Sequence, residues 1–150
     1  MSKKEKIDIE SNLIEGLVIR EGMLKGKCTL LSEEIKVELD TELDSPQKSD
    51  YEQLLTSFRD TLKYLTESKV SEYKKYISQE ITDACYEQDD YSATEQDYQS
   101  LYDELCIKKI YFSLEAFVLT LRAKKIFKSS DIIFQVNLPE YEIDDCYIDM

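Results

Sequence analysis

The chain has 150 residues, 42% of them hydrophobic, carries a formal net charge of −13 and contains no histidine. That apolar content suits one globular domain, 1–150, and argues against disorder, while the lack of imidazole removes the commonest general base, the usual activator of a nucleophilic Ser or Cys, and the commonest zinc ligand. The negative charge disfavours nucleic acid and anionic membranes and favours basic partners.

Residues 1–11 carry Lys3, Lys4, Glu5 and Lys6 and lack the apolar run of a signal peptide, so a flexible N-terminus is expected. Leu13 to Arg20 reads as a short strand around Gly16. Lys27 to Leu31 and Ile35 to Asp40 read as a hairpin about Ser32-Glu33-Glu34, with Ile35, Val37 and Leu39 on an inner face. Thr41 to Ser49, with Pro46, is a connecting loop.

From Asp50 the period changes to helical, with Leu54, Leu55, Phe58, Leu62 and Leu65 on one stripe and Ser49 or Asp50 as N-cap. A second helix opening at Ser68 carries Val70, Tyr73, Ile77, Ile81 and Cys85. The two stripes predict an antiparallel helix pair lying on a sheet. Gln88 to Tyr91 is a loop, and Ser92 with Glu95 has the spacing of a capping box opening a short helix with Tyr98, Leu101 and Leu105.

Strands return in the last third. Ile107 to Leu114 comes first, then Phe117, Leu119 and Leu121 alternate with Val118, Thr120 and Arg122, as Ile132, Phe134, Val136 and Leu138 do with Ile133, Gln135 and Asn137. Ile143 to Ile148 adds a final edge strand after Pro139. The order βββ-ααα-ββββ is α+β: a largely antiparallel β-sheet with an inserted run of two to three α-helices packed on one face. The longest nearly apolar stretch, Ala116 to Leu121, is far too short to span a bilayer.

Several segments carry a resemblance: Leu-Ile-Glu-Gly-Leu-Val-Ile at 13–19, Leu-Lys-Gly-Lys-Cys at 24–28, Ile-Lys-Val-Glu-Leu-Asp at 35–40, Ala-Thr-Glu-Gln-Asp-Tyr at 93–98 and Phe-Lys-Ser-Ser-Asp-Ile-Ile-Phe at 127–134. Together they resemble a bacterial domain-of-unknown-function family related to proteins regarded as immunity proteins of polymorphic-toxin loci. The resemblance implies an immunity role, and it carries no family active site over to this chain. Where the family pattern has Gly-His near a late strand, this chain has Ser129-Ser130, and Lys124-Lys125 replace an acidic turn.

The most conspicuous constellation is acidic. Glu80, Asp83, Glu87, Asp89, Asp90, Glu95, Asp97, Asp103 and Glu104 occur with no Lys or Arg between them, interleaved with Tyr86, Tyr91, Tyr98 and Tyr102. Carboxylates steer encounter with a basic protein and tyrosines supply contact area, so Tyr86, Asp89, Asp90, Tyr91, Glu95, Asp97, Tyr98 and Tyr102 are the expected partner-binding residues. A solvated face explains the same run without any partner. Glu140, Glu142, Asp144, Asp145 and Asp149 lack the spacing of a calcium loop and suit an edge strand that resists pairing.

Between the two acidic groups lies a basic island, Lys108, Lys109, Arg122, Lys124, Lys125 and Lys128, whose favoured reading is charge balance within the fold, the alternative being a site for phosphate or an acidic ligand. Cys28, Cys85, Cys106 and Cys146 are scattered, have no histidine to activate them and are expected to be reduced thiols, mostly buried, with Cys85 in core packing. Tyr51, Tyr64, Tyr73 and Tyr76 are expected to straddle core and surface.

The sequence thus points to a cytoplasmic, non-catalytic protein-binding domain that neutralises a basic toxin through an acidic, Tyr-bearing surface, with no metal, cofactor, nucleic acid or membrane involved. Two alternatives stand beside it. One is a regulatory or homo-oligomeric interaction module. The other is a small-molecule hydrolase using carboxylate pairs such as Asp89/Asp90 or Asp144/Asp145, if a cleft raises one pKa.

Overall fold

Residues 9–86, 93–123 and 125–149 are described by a computed structural model. Period-two stretches near the start form β1 (Glu15–Arg20), β2 (Met23–Leu30) and β3 (Glu33–Asp40). Helices α1 (Lys48–Tyr64), α2 (Glu67–Tyr86) and α3 (Glu95–Glu104) follow, then β4 (Cys106–Phe112), β5 (Ala116–Ala123), β6 (Phe127–Asn137) and β7 (Glu142–Asp149). The seven strands make one sheet in sequence order, β1 to β7. Every neighbouring pair is antiparallel except β3 and β4, which run parallel on either side of the helical block. The α+β order read from the sequence is therefore present, with one parallel seam inside an otherwise antiparallel meander.

Local chemistry sets the element ends. The β1–β2 and β2–β3 loops have two residues each, Glu21-Gly22 and Leu31-Ser32, all at positive φ. That backbone pattern matches the twist of the flanking strands. The second turn therefore sits at Leu31-Ser32, earlier than the expected Ser32-Glu33-Glu34, and Glu33 and Glu34 belong to β3. Helix α1 begins after Gln47, not at Ser49 or Asp50; the Asp50 carboxylate accepts from the Gln47 N–H at 2.7 Å, satisfying an orphan donor from inside the first turn.

One face of the sheet is covered and the other open. Leu24, Leu39, Ile110, Phe112, Phe117, Ile132, Phe134 and Val136 on the covered face are fully buried, together with Phe58 of α1 and Ile77 of α2. Such side chains each contribute about 1.5–3 kcal/mol relative to exposure. Helix α1 spans the sheet along the end where its turns lie. The Tyr51 hydroxyl donates to the Gly22 carbonyl of the β1–β2 turn at 2.9 Å, Phe58 meets Phe112 edge-on at 5.4 Å, and Tyr64 stacks on Tyr141 of the β6–β7 turn at 3.6 Å.

The antiparallel helix pair expected from the two stripes is differently composed. Ser71 and Asp83 of α2 meet Tyr102 and Tyr98 of α3 respectively, so α3 is the helix antiparallel to α2, because α1 is turned across the strand ends. Two other expectations are corrected. Tyr51 and Tyr73 are buried in the core instead of reaching water, the first hydrogen-bonded and the second with its hydroxyl unpartnered among the described residues. Cys85 is exposed and only Cys28 is fully buried, because past Ile81 the last turn of α2 leaves the apolar layer.

Candidate functional site

Two charged surfaces stand out, one built by helices α2 and α3, the other by the open face of the sheet. On the helical surface, α3 opens at Thr94, whose hydroxyl accepts from the Asp97 N–H at 3.3 Å while the Asp97 carboxylate accepts from the Thr94 N–H at 2.8 Å. Thr94 and Asp97 thus form the capping box expected of Ser92 and Glu95, one helical start later. Ser92 lies outside the described residues, and Glu95 is exposed in the first turn.

The site residues expected from the sequence part ways here. Asp89, Asp90 and Tyr91 lie outside the described residues, as does the Gln88 to Tyr91 loop, and Tyr86 ends α2 with its side chain likewise outside. Glu95 and Asp97 stand on the first turn of α3, Asp97 engaged in the cap. Tyr98 donates to Asp83, and this hydrogen bond holds the tyrosine proton and raises its pKa. The Tyr102 hydroxyl lies 2.7 Å from Ser71 Oγ. Both hydroxyls therefore fasten α3 to α2, leaving ring edges along a groove lined also by Lys75, Gln79, Glu95 and Gln99.

Burial raises the Cys146 thiol to about 12, and Glu80 of α2 and Asp145 of β7 add to that rise. Tyr76 is raised by burial and then by the same two acids. Among the described residues none of Glu80, Asp83, Glu95, Asp103, Glu104, Glu142, Asp144 or Asp145 forms an ion pair. Lys75 stands in the same α2–α3 groove as Glu95, and Asp145, opposite Gln135, is on the side of the sheet away from the helices.

The open face carries a row of lysines set among carboxylates. Lys27, Lys36 and Lys109 stand directly opposite one another in register across β2, β3 and β4, and Thr120 of β5 continues the row. Arg122, further along β5, pairs with Asp131 through Nε at 2.8 Å. The expected basic island is thus divided: Lys109 and Arg122 join Lys27 and Lys36 on this face, while Lys125 stands exposed in the β5–β6 turn, its N–H bonded to Glu104 at 3.1 Å. Lys124, and the side chain of Lys128, lie outside the described residues. Lys27 and Lys36 were missed because only the parallel β3–β4 seam brings them to Lys109.

Nothing in the thiols suggests a nucleophile. Burial raises Cys28 to about 11, and the attacking species, the thiolate, is scarce at neutral pH when a thiol is raised in this way. Among the described residues no cluster of Cys, Asp and Glu could hold a metal ion, and no helix is long and apolar enough to cross a membrane. No family model, curated protein or solved structure matches the chain, so the family resemblance rests on the sequence segments alone.

Proposed function

We propose that this is a cytoplasmic, non-catalytic protein-binding domain whose acidic surface on α2 and α3 covers a basic partner, most concretely the substrate groove of a toxin. The observation that supports this reading is that Glu80, Asp83, Glu95 and Asp103 of α2 and α3 form no ion pair among the described residues. A field of one sign accelerates encounter with the opposite sign and repels nucleic acid. The half-buried rings of Tyr98 and Tyr102, held by their own hydroxyls, offer pre-ordered contact area at little entropic cost.

The test is kinetic. Co-expression with the product of the adjacent gene supplies a partner, and Glu80, Glu95 and Asp103 are replaced together by Gln or Asn. Association should slow and its salt dependence flatten, with dissociation little changed, because exposed charges act mainly on encounter. Unchanged association rate and salt slope would reduce the surface to a solvated face.

A further inference from the structure

We infer that the open face of the sheet holds a binding site for the phosphate group of a small anion, centred on Lys36. The site lies on the strands away from the helical surface and does not depend on the partner proposed above. Its first support is the row itself. Like charges directly opposite in neighbouring strands destabilise a sheet. Lys27, Lys36 and Lys109 occupy three successive in-register positions in a chain where 32 acids outnumber 19 bases. A local arrangement that opposes both pairing energetics and overall composition is the kind retained at functional sites.

The second support is the disposition of the neighbouring carboxylates. Glu34 takes Lys27 at 3.3 Å and Glu38 takes Lys109 at 2.6 Å. These two acids lie on either side of Lys36 along β3, so each outer ammonium is held by a carboxylate while Lys36 has no ion-pair partner among the described residues. With strands about 4.8 Å apart, the outer two lysines stand roughly 5 Å to each side of it. Ammonium groups converging from a row suit a tetrahedral oxyanion, for which lysine serves as a point charge.

The third support is shape. A groove of about 400 Å³ runs over this row, lined also by Lys108, Thr120 and Arg122 and by the ion-paired acids Glu34 and Asp131. That volume is at the lower end of small-ligand sites. Thr120 follows Lys109 in the row as a hydroxyl donor, and Asp131 holds Arg122 by Nε, leaving the terminal guanidinium N–H groups for a second oxyanion. A compact anion senses chiefly these near charges, whereas a long polyanion extends along a molecule of net charge −13. The ligand is therefore small.

The experiment is a titration of the full-length 15N-labelled protein with inorganic phosphate, pyrophosphate and a single-stranded oligonucleotide, each against sodium chloride of equal ionic strength. Pyrophosphate should give saturable amide shifts confined to the surroundings of Lys27, Lys36, Lys109 and Thr120, and phosphate weaker shifts at the same residues. Lys36→Gln, which relieves like-charge repulsion and keeps the fold, should weaken pyrophosphate binding about tenfold, the loss expected of a charged hydrogen bond. Lys48→Gln, on α1, should leave it unchanged. Shifts reproduced by chloride, or Lys36→Gln binding like the wild type, would overturn the site. Tighter binding of the oligonucleotide than of pyrophosphate would overturn the small-anion assignment.

Discussion

The Tyr98 hydroxyl donates to the carboxylate of Asp83, in the last turn of α2, so an aromatic and an acid from one charged stretch spend their polarity on each other. Tyr102 repeats the link at Ser71, at the other end of the α2–α3 contact. These two bonds decide how firmly α3 presents its acidic turn.

Removing both hydroxyls, in Tyr98→Phe with Tyr102→Phe, should loosen α3 without unfolding the sheet. The Tyr102 bond alone is worth about 1 kcal/mol. Amide hydrogen exchange should quicken across α3 and stay slow in β5 and β6; a uniform change would mean that the links stabilise the whole fold equally.

Gly26→Ala should destabilise by about 1–3 kcal/mol, the usual cost of forced overpacking. An added Cβ would meet Ile14 Cγ2 and lie 2.8 Å from the Glu15 carbonyl oxygen, which belongs to backbone and cannot rotate away. Exchange protection should fall first in β1. Loss spread evenly over all seven strands would refute the local clash.

Lys36→Glu should stabilise the protein by about 0.2–1 kcal/mol, by turning two like-charge cross-strand neighbours into opposite-charge ones. The gain should shrink in high salt, since the face is solvent-exposed. Denaturant midpoints at two ionic strengths measure both effects, and destabilisation at low salt would show that the row is not repulsive.

Alkaline pH should weaken the fold through the thiols. Burial raises Cys28 from an ordinary value near 9 to about 11, and raises Cys146 to about 12 with help from Glu80 and Asp145. A raised pKa means that the folded state keeps its proton where the unfolded chain has lost it. This stability is complete below about pH 9 and is lost as pH climbs through the folded values. Urea midpoints should fall across that window, less steeply in Cys28→Ala; identical slopes would exclude Cys28 as a source.

Much of the architecture could be read from periodicity, because Ile35, Val37 and Leu39, or Phe117, Leu119 and Leu121, alternate cleanly and the helical stripes do not. Caps were less legible: Thr94 and Ser92 are both good N-caps, each with an acid three residues on, and only the chain's path chooses. Cys85 fits the apolar stripe by spacing, yet a stripe does not report where the layer beneath it ends. The row of lysines was the least legible feature. Lys27, Lys36 and Lys109 are unremarkable singly, and the pairing that aligns them spans the whole helical block. Nor does spacing reveal that Tyr98 and Tyr102 have hydroxyl partners inside the fold.

The single parallel seam also has a kinetic meaning. Strands β1 to β3 and β4 to β7 each close through short loops, whereas joining β3 to β4 requires closing the chain from 41 to 105. Loop-closure entropy falls on that one step, so the two meanders can gain order from neighbours while the seam waits for a distant encounter. The folding barrier is then concentrated where Val37 meets Ile110, both buried at the seam. Truncating either of these side chains should slow folding itself, whereas truncations in the β6–β7 hairpin should speed unfolding.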